Sequence, residues 1–303
     1  MIDLGNCMLD KFLNYLQVEK NYSDYTIRNY ELDIKQFLTY CEDNKLNYSK
    51  ITYKDARSYI NYLYDDTNKA TSISRKISSI RSFYRYMANQ GTENYSFHLL
   101  KLPKKGKRLP KYLEYNELEE MFDIPDLNTP LGERNALILE MLYASGMRVG
   151  ELVSIKISDI NHFNKTIKIL GKGNKERIVY YNKITENRLN LYLKNGRCKL
   201  DKCSSEYLFL NKDGNQITTR GVEYVLDQII KKTSLTKHVT PHMLRHSFAT
   251  HLLNEGCDLL SVQELLGHES LSATNIYTFV TNDRIKDVYL RTHPRARKKS
   301  ELE

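Results

Sequence analysis

Five polar residues in the second half of the chain have the chemistry to surround one phosphate: Arg148, His242, Arg245, His268 and Tyr277. Two fixed cations, two imidazoles and a phenol can together carry phosphoryl transfer without metal or nucleotide. His242 and Arg245 stand three apart in Thr240-Pro241-His242-Met243-Leu244-Arg245-His246, a spacing that places both on one face of a helix. Arg148 opens a helix after a turn at Ser145-Gly146, where a guanidinium can clamp two phosphate oxygens, and Glu151 one turn later can hold it. A phenol with a pKa near 10 is a weak nucleophile at neutral pH, so Tyr277 needs help. Two arginines and a histidine around the phosphate would supply it by stabilising the pentacoordinate transition state and the developing phenolate. The chain has 23 tyrosines and no tryptophan, so the choice of one tyrosine rests on this constellation; most of the others belong in the core or at interfaces.

Each of these residues also has a plainer local reading. Arg148 and Glu151 make a common surface ion pair. Lys172, flanked by glycines in Gly171-Lys172-Gly173, suits the tip of an exposed hairpin as well as a close approach to substrate. That string is not a phosphate-binding P-loop, because GxxxxGK[ST] is absent, and nucleotide hydrolysis is disfavoured. His242 and His246 are four apart, but Met243 stands where a metalloprotease helix needs glutamate, so no metal site is expected. His246 and His251 are expected to be packed or locally satisfied.

The elements that must position these residues fall into two groups. The first hundred residues show helical spacing with little strand signal: Met8 to Leu16, Ile27 to Cys41 after Ser23 as N-cap, a third segment from Thr52, and a fourth through Ile73, Ile77, Ile80, Tyr84 and Met87 that stops near Gly91. They predict a small helical bundle. The polar side of the fourth segment, with Ser72, Arg75, Lys76, Ser79 and Ser82, suits phosphate contacts and equally suits a solvated helix face. Residues 99–111 form a basic linker with Lys104, Lys105, Lys107 and Arg108 among prolines and a glycine. Beyond it, helices are predicted at 114–122, 131–145, 184–194, 220–232, 241–254, 258–266 and 271–290, with a hairpin of strands 166–170 and 177–181. The fold class is mainly α with a small antiparallel β-sheet. The domain division is 1–98, linker 99–111, and 112–303.

Composition bounds the rest. The 46 Lys and Arg against 37 Asp and Glu give +9, which favours a polyanionic partner without identifying one. No apolar stretch approaches a membrane span and the start is not a signal peptide, so a cytoplasmic protein is expected. Five cysteines without CxxC spacing predict neither a disulfide framework nor a zinc site, and they are expected to be reduced and mostly packing residues.

The order Arg148, Lys172, His242-x-x-Arg245, Gly267-His268 and Tyr277 resembles the tyrosine recombinase (phage integrase) family over residues 112–290. The helical first hundred residues resemble its SAM-like core-binding domain, a DNA clamp, and residues 112–303 its catalytic domain. Within the family, the compact length and the ending Thr292-His293-Pro294-Arg295-Ala296 resemble bacterial Xer recombinases. The resemblance implies that Tyr277 attacks a scissile phosphate and leaves a 3′-phosphotyrosyl enzyme with a free 5′-hydroxyl. It further implies that Arg148, Arg245 and His268 hold the phosphorane, that Lys172 protonates the 5′-oxygen, and that His242 assists proton transfer. One phosphodiester is exchanged for another, so no ATP, metal or other cofactor is implied.

The same resemblance implies double-stranded DNA sites, a Holliday junction and a homo- or hetero-tetramer in which the C-terminal helix and its cationic tail dock on a neighbouring protomer. A second Xer-like recombinase and a DNA translocase are further implied partners. Resolution of chromosome or plasmid dimers, in chromosome partition and cell division, is the expected role; integration or excision of a mobile element uses the same chemistry. A type IB topoisomerase and a non-catalytic DNA-binding regulator are the remaining readings.

Overall fold

The structure is a computed structural model that describes residues 2–20, 22–65, 69–92, 94–101, 112–171, 176–267 and 278–296. The chain divides into two compact units, Met1–Arg108 and Leu109–Glu303.

The N-terminal unit is built from α1 (Ile2–Val18), α2 (Asp24–Asp43), α3 (Tyr53–Asp65), α4 (Ala70–Asn89) and a short α5 (Ser96–Leu99). The starts follow local chemistry. Ser23 accepts a hydrogen bond from the Thr26 amide, and Thr52 and Asp55 cap each other's backbone amides. Helix α4 ends one residue before Gln90, and Gly91 turns the chain at φ +86°. The inward stripes bring together Phe12, Phe37, Tyr59, Phe83, Tyr84 and Phe97, all buried. Burying each such ring contributes about 1.5–3 kcal/mol, which is what holds these short helices together.

The C-terminal unit contains α6 (Tyr115–Asp123), α7 (Pro130–Ser145), α8 (Val149–Val153), β1 (Ile160–Asn161), β2 (Thr166–Leu170), β3 (Glu176–Tyr180), α9 (Lys183–Leu191), α10 (Arg197–Leu200), α11 (Thr219–Ile230), α12 (Pro241–Asn254), α13 (Leu259–Leu266) and α14 (Thr278–Thr292). Helix α7 is its axis: from Gly132 to Ser145 nearly every residue is buried, and α6, α8, α9 and α12 all pack on it. The sheet is antiparallel in the order β1-β2-β3, with Thr166 opposite Tyr180 and Leu170 opposite Glu176.

Three details depart from the sequence expectations. The hairpin gains a third strand, β1, whose two residues are too few to show an alternation. The helix expected at 184–194 continues through a π turn at Tyr192–Gly196 into α10, held by a hydrogen bond from the Gly196 amide to buried Glu133. Of the cysteines, only Cys41 and Cys257 are buried; Cys7, Cys198 and Cys203 are exposed. The part of the helix expected at 271–277 lies outside the described residues, as do the linker residues Lys104, Lys105, Lys107 and Arg108.

The C-terminal segment packs on its own unit as far as Ala296. Ile285 and Tyr289 enter the core, His293 is fully buried among the rings of Tyr143, Phe248 and Tyr289, and Arg295 pairs with buried Glu140 across the Phe122 ring. Among the described residues, no helix is long and apolar enough to cross a membrane.

Candidate active site

Helix α7 ends because Gly146 adopts a left-handed conformation at φ +60°, which stops the helix and redirects the chain into Arg148. A Cβ at Gly146 would stand 2.4 Å from the buried ring of Phe248, so only glycine fits this turn. Arg148 is the N-cap of α8, and its amide donates to Glu151 Oε2 at 2.7 Å. The Arg148 guanidinium donates back to Glu151 Oε1 at 2.9 Å. Its side chain remains 47 % exposed while that of Glu151 is 5 % exposed, so the carboxylate is buried and the cation reaches outward from it.

Arg245 is 7 % exposed on α12, whose start is fixed by Thr240, accepting from the Met243 amide, and by Pro241. Its guanidinium donates to the Gly146 carbonyl at 2.6 Å and to the Leu266 carbonyl at 2.7 Å. One side chain thus fastens the turn that leads to Arg148 to the end of α13, two residues before His268. These two bonds use two of the five N–H donors of the guanidinium, leaving a fork suited to phosphate oxygens. Burial, with repulsion from Arg148 and Arg177, lowers the Arg245 pKa to about 10, partly offset by Glu151. It remains a cation at neutral pH.

Arg177 on β3 has no place in the sequence-derived site, yet the structure brings it here. Its Nη2 donates to Glu151 Oε2 at 2.9 Å and its Nη1 to the Leu265 carbonyl at 2.9 Å. Burial alone pushes the Glu151 carboxyl up, but the Arg148 amide, the Arg177 charge and the two guanidinium hydrogen bonds outweigh it and hold the group below its usual value. A signal for Arg177 exists in the strand: Arg177, Val179 and Tyr181 alternate onto one face, and a charged residue on an apolar face needs a partner.

His242 stands in the first turn of α12 and is exposed, whereas Arg245 one turn on is buried. His251 is buried and stacked on Tyr115, with its Nδ1 paired to the Tyr143 hydroxyl at 2.8 Å and its Nε2 without a hydrogen-bond partner among the described residues. Lys172, His268 and Tyr277 lie outside the described residues; Gly171 before Lys172 and Gly267 before His268 are described. Of the sequence-predicted set, Arg148, Glu151 and Arg245 therefore converge, and His242 shares the helix of Arg245.

In the N-terminal unit, Ser79 corrects the expected phosphate stripe. It is buried, 2 % exposed, and its hydroxyl donates to buried Asp33 at 2.8 Å, so it is not available to DNA. Arg75 also pairs with Asp33 but is half exposed, Lys76 bonds Gln36, and Ser72 is partly exposed.

Comparison with known proteins decides what this arrangement belongs to. A profile of the phage integrase family matches residues 111–284, and one of the phage integrase N-terminal SAM-like domain matches residues 9–91. The chain is 47 % identical to tyrosine recombinase XerC of Oceanobacillus iheyensis, over 95 % of this chain and 96 % of that protein. The chain belongs to the phage integrase family. This recombinase is equally similar in extent to tyrosine recombinase XerC of Bacillus subtilis, at 44 % over 95 % of this chain and 97 % of that one. Among solved structures it matches the XerH site-specific recombinase in a post-cleavage complex with palindromic difH, with 25 % identity, a TM-score of 0.68, and coverage of 93 % and 83 %. The protein is thus an Xer-like tyrosine recombinase, an enzyme of DNA strand cleavage and rejoining.

Proposed function

We propose that this recombinase acts on paired double-stranded DNA sites through Tyr277, which attacks a scissile phosphate and forms a 3′-phosphotyrosyl intermediate. The observation that supports this most is the carboxylate-linked cluster in which Glu151 joins Arg148 to Arg177, with Arg245 within electrostatic reach. A buried carboxylate presenting a half-exposed guanidinium is suited to grip a phosphodiester and to stabilise charge that grows during attack. In this reading Arg148, Arg245 and His268 neutralise the phosphorane, Lys172 protonates the leaving 5′-oxygen, and His242 assists. The 5′-hydroxyl of a partner strand then attacks the phosphotyrosine, restoring the phenol and conserving the phosphodiester without ATP.

Residues 1–98 serve as the DNA-contacting domain, with Ser72, Arg75 and Lys76 as phosphate contacts, and 99–111 as a basic linker through Lys104, Lys105, Lys107 and Arg108. Residues 112–303 carry the chemistry. The chain works in the cytoplasm within a tetramer on two sites, alone or with a second Xer-like recombinase and a translocase. Its role is resolution of chromosome or plasmid dimers. Docking of the C-terminal segment on a neighbour requires either the residues after Ala296 or release of the contacts that hold His293 and Arg295 in the same chain.

A nicked duplex carrying the site that the wild-type chain traps on genomic DNA tests this reading. Wild type accumulates a covalent adduct, and Tyr277→Phe binds with unchanged affinity but forms none. An adduct from the phenylalanine variant removes Tyr277 as nucleophile.

A further inference from the structure

We infer that Arg177 is a positioning residue for recombination, fixing Arg148 from one side and the end of α13 from the other. The inference rests on the proposed role of Arg148 as a phosphate ligand. Arg177 stands opposite Ile169 in the β2-β3 ladder, where its neighbours Glu176 and Ile178 are more exposed and its own side chain is only 16 % exposed. A guanidinium withdrawn from water there is costly unless both ends of its fork are satisfied. The two amino groups are taken by different elements, one by the Glu151 carboxylate of α8 and the other by the Leu265 carbonyl of α13, while the buried Nε has no hydrogen-bond partner among the described residues.

Two consequences follow for geometry. First, Glu151 is shared, with Arg148 on one oxygen and Arg177 and the Arg148 amide on the other, so the carboxylate that orients Arg148 is itself oriented by Arg177. Second, the last two carbonyls of α13 are each taken by an arginine, Leu265 by Arg177 and Leu266 by Arg245. Cations at the negative end of a helix fix that end. Gly267 then passes directly over Arg177: at φ +65°, a Cβ on it would stand 2.6 Å from Arg177 Cδ. The residue that follows is His268. Arg177 therefore ties its own strand, β3, to the Arg148 helix and to the end of α13, two residues before Gly267. Neither partner is a sequence neighbour: 26 residues separate Arg177 from Glu151 and 88 from Leu265.

A lysine cannot reproduce this, because a single ammonium lacks the planar fork that spans two acceptors. The test is single-turnover adduct formation on the trapped-site nicked duplex at saturating protein, together with the dissociation constant for the same duplex. Arg177→Ala is expected to slow adduct formation on the order of 10²-fold, the scale of a misplaced catalytic group, with affinity changed less than about threefold. Arg177→Lys restores less than a tenth of the wild-type rate while still unfolding in one cooperative transition of the C-terminal unit, and it carries the test if the alanine variant does not fold. Because Arg177 acts through Arg148, adding Arg177→Lys to Arg148→Ala slows the reaction far less than it slows wild type. A rate within threefold of wild type in Arg177→Lys, or losses in the double variant that multiply, overturns the inference. An adduct in Tyr277→Phe bears instead on the nucleophile and leaves the Arg177 comparison readable on the residue that is trapped.

Discussion

Replacing Gly146 by alanine probes the turn on which the site is built. Two costs add. A non-glycine residue at φ +60° costs about 1–2 kcal/mol. The new methyl would also stand 2.4 Å from Cδ1 and 2.8 Å from Cε1 of Phe248, a ring 1 % exposed and packed against His293, so the ring has nowhere to swing. Overpacking of this kind costs about 1–3 kcal/mol. The sum, about 2–5 kcal/mol, corresponds to roughly 10 °C in the melting of a unit this size. Calorimetry on the full chain should show that loss in the transition of the C-terminal unit. Covalent-adduct formation should fall as well, because the Gly146 carbonyl holds Arg245. Gly150 is the control: it is exposed in α8 with nothing within 4 Å of an added methyl and no positive φ, so Gly150→Ala should raise stability by about 0.5–1 kcal/mol. A Gly146→Ala protein that melts within about 2 °C of wild type would refute the reasoning.

Further expectations concern acid stability and DNA contact. Burial drives the His293 pKa from 6.5 down to about 3, so the unfolded chain binds a proton between those values that the folded chain refuses. Its contribution is complete above pH 6.5 and is lost as pH falls toward 3, with His251, also lowered by burial, acting in the same direction. Urea unfolding at pH 7 and at about 4.5 should therefore show a loss of roughly 2–3 kcal/mol from His293, absent in His293→Phe; an equal loss in the variant would contradict the assignment. In the N-terminal unit, Lys76→Ala should weaken binding to all DNA sequences alike and reduce the salt slope by about 1, whereas Ser79→Ala should leave affinity unchanged. Anisotropy titrations across a salt series distinguish these, and a loss of affinity in Ser79→Ala would restore that residue to the DNA surface.

The parts legible in the sequence are those governed by short-range rules. Helix starts at Ser23 and Thr240, the stops at Gly91 and Gly146, and the β2-β3 ladder carry their own capping and turn chemistry, and the structure places them where these signals lie. The Arg148–Glu151 contact was legible for the same reason, being three residues apart. What escaped is long-range. Arg177 shows in the strand only as a charge on an inward face, with nothing to name its partner on α13, and Glu140 with Arg295, separated by 155 residues, has no periodic signature at all. Ser79 escaped for the opposite reason: a short hydroxyl on a polar stripe looks exposed until Asp33 of α2 closes over it. The π turn beyond α9 depends on Glu133, brought in by α7, and is likewise invisible to helical periodicity.

The most direct measurement of the central claim is mass spectrometry of the protein–DNA adduct trapped on a nicked duplex. The account predicts a nucleotide-bearing peptide with the modification on Tyr277, linked through a 3′-phosphate and leaving a free 5′-hydroxyl on the DNA. Modification of any other residue, or a 5′-phosphate linkage, would contradict it.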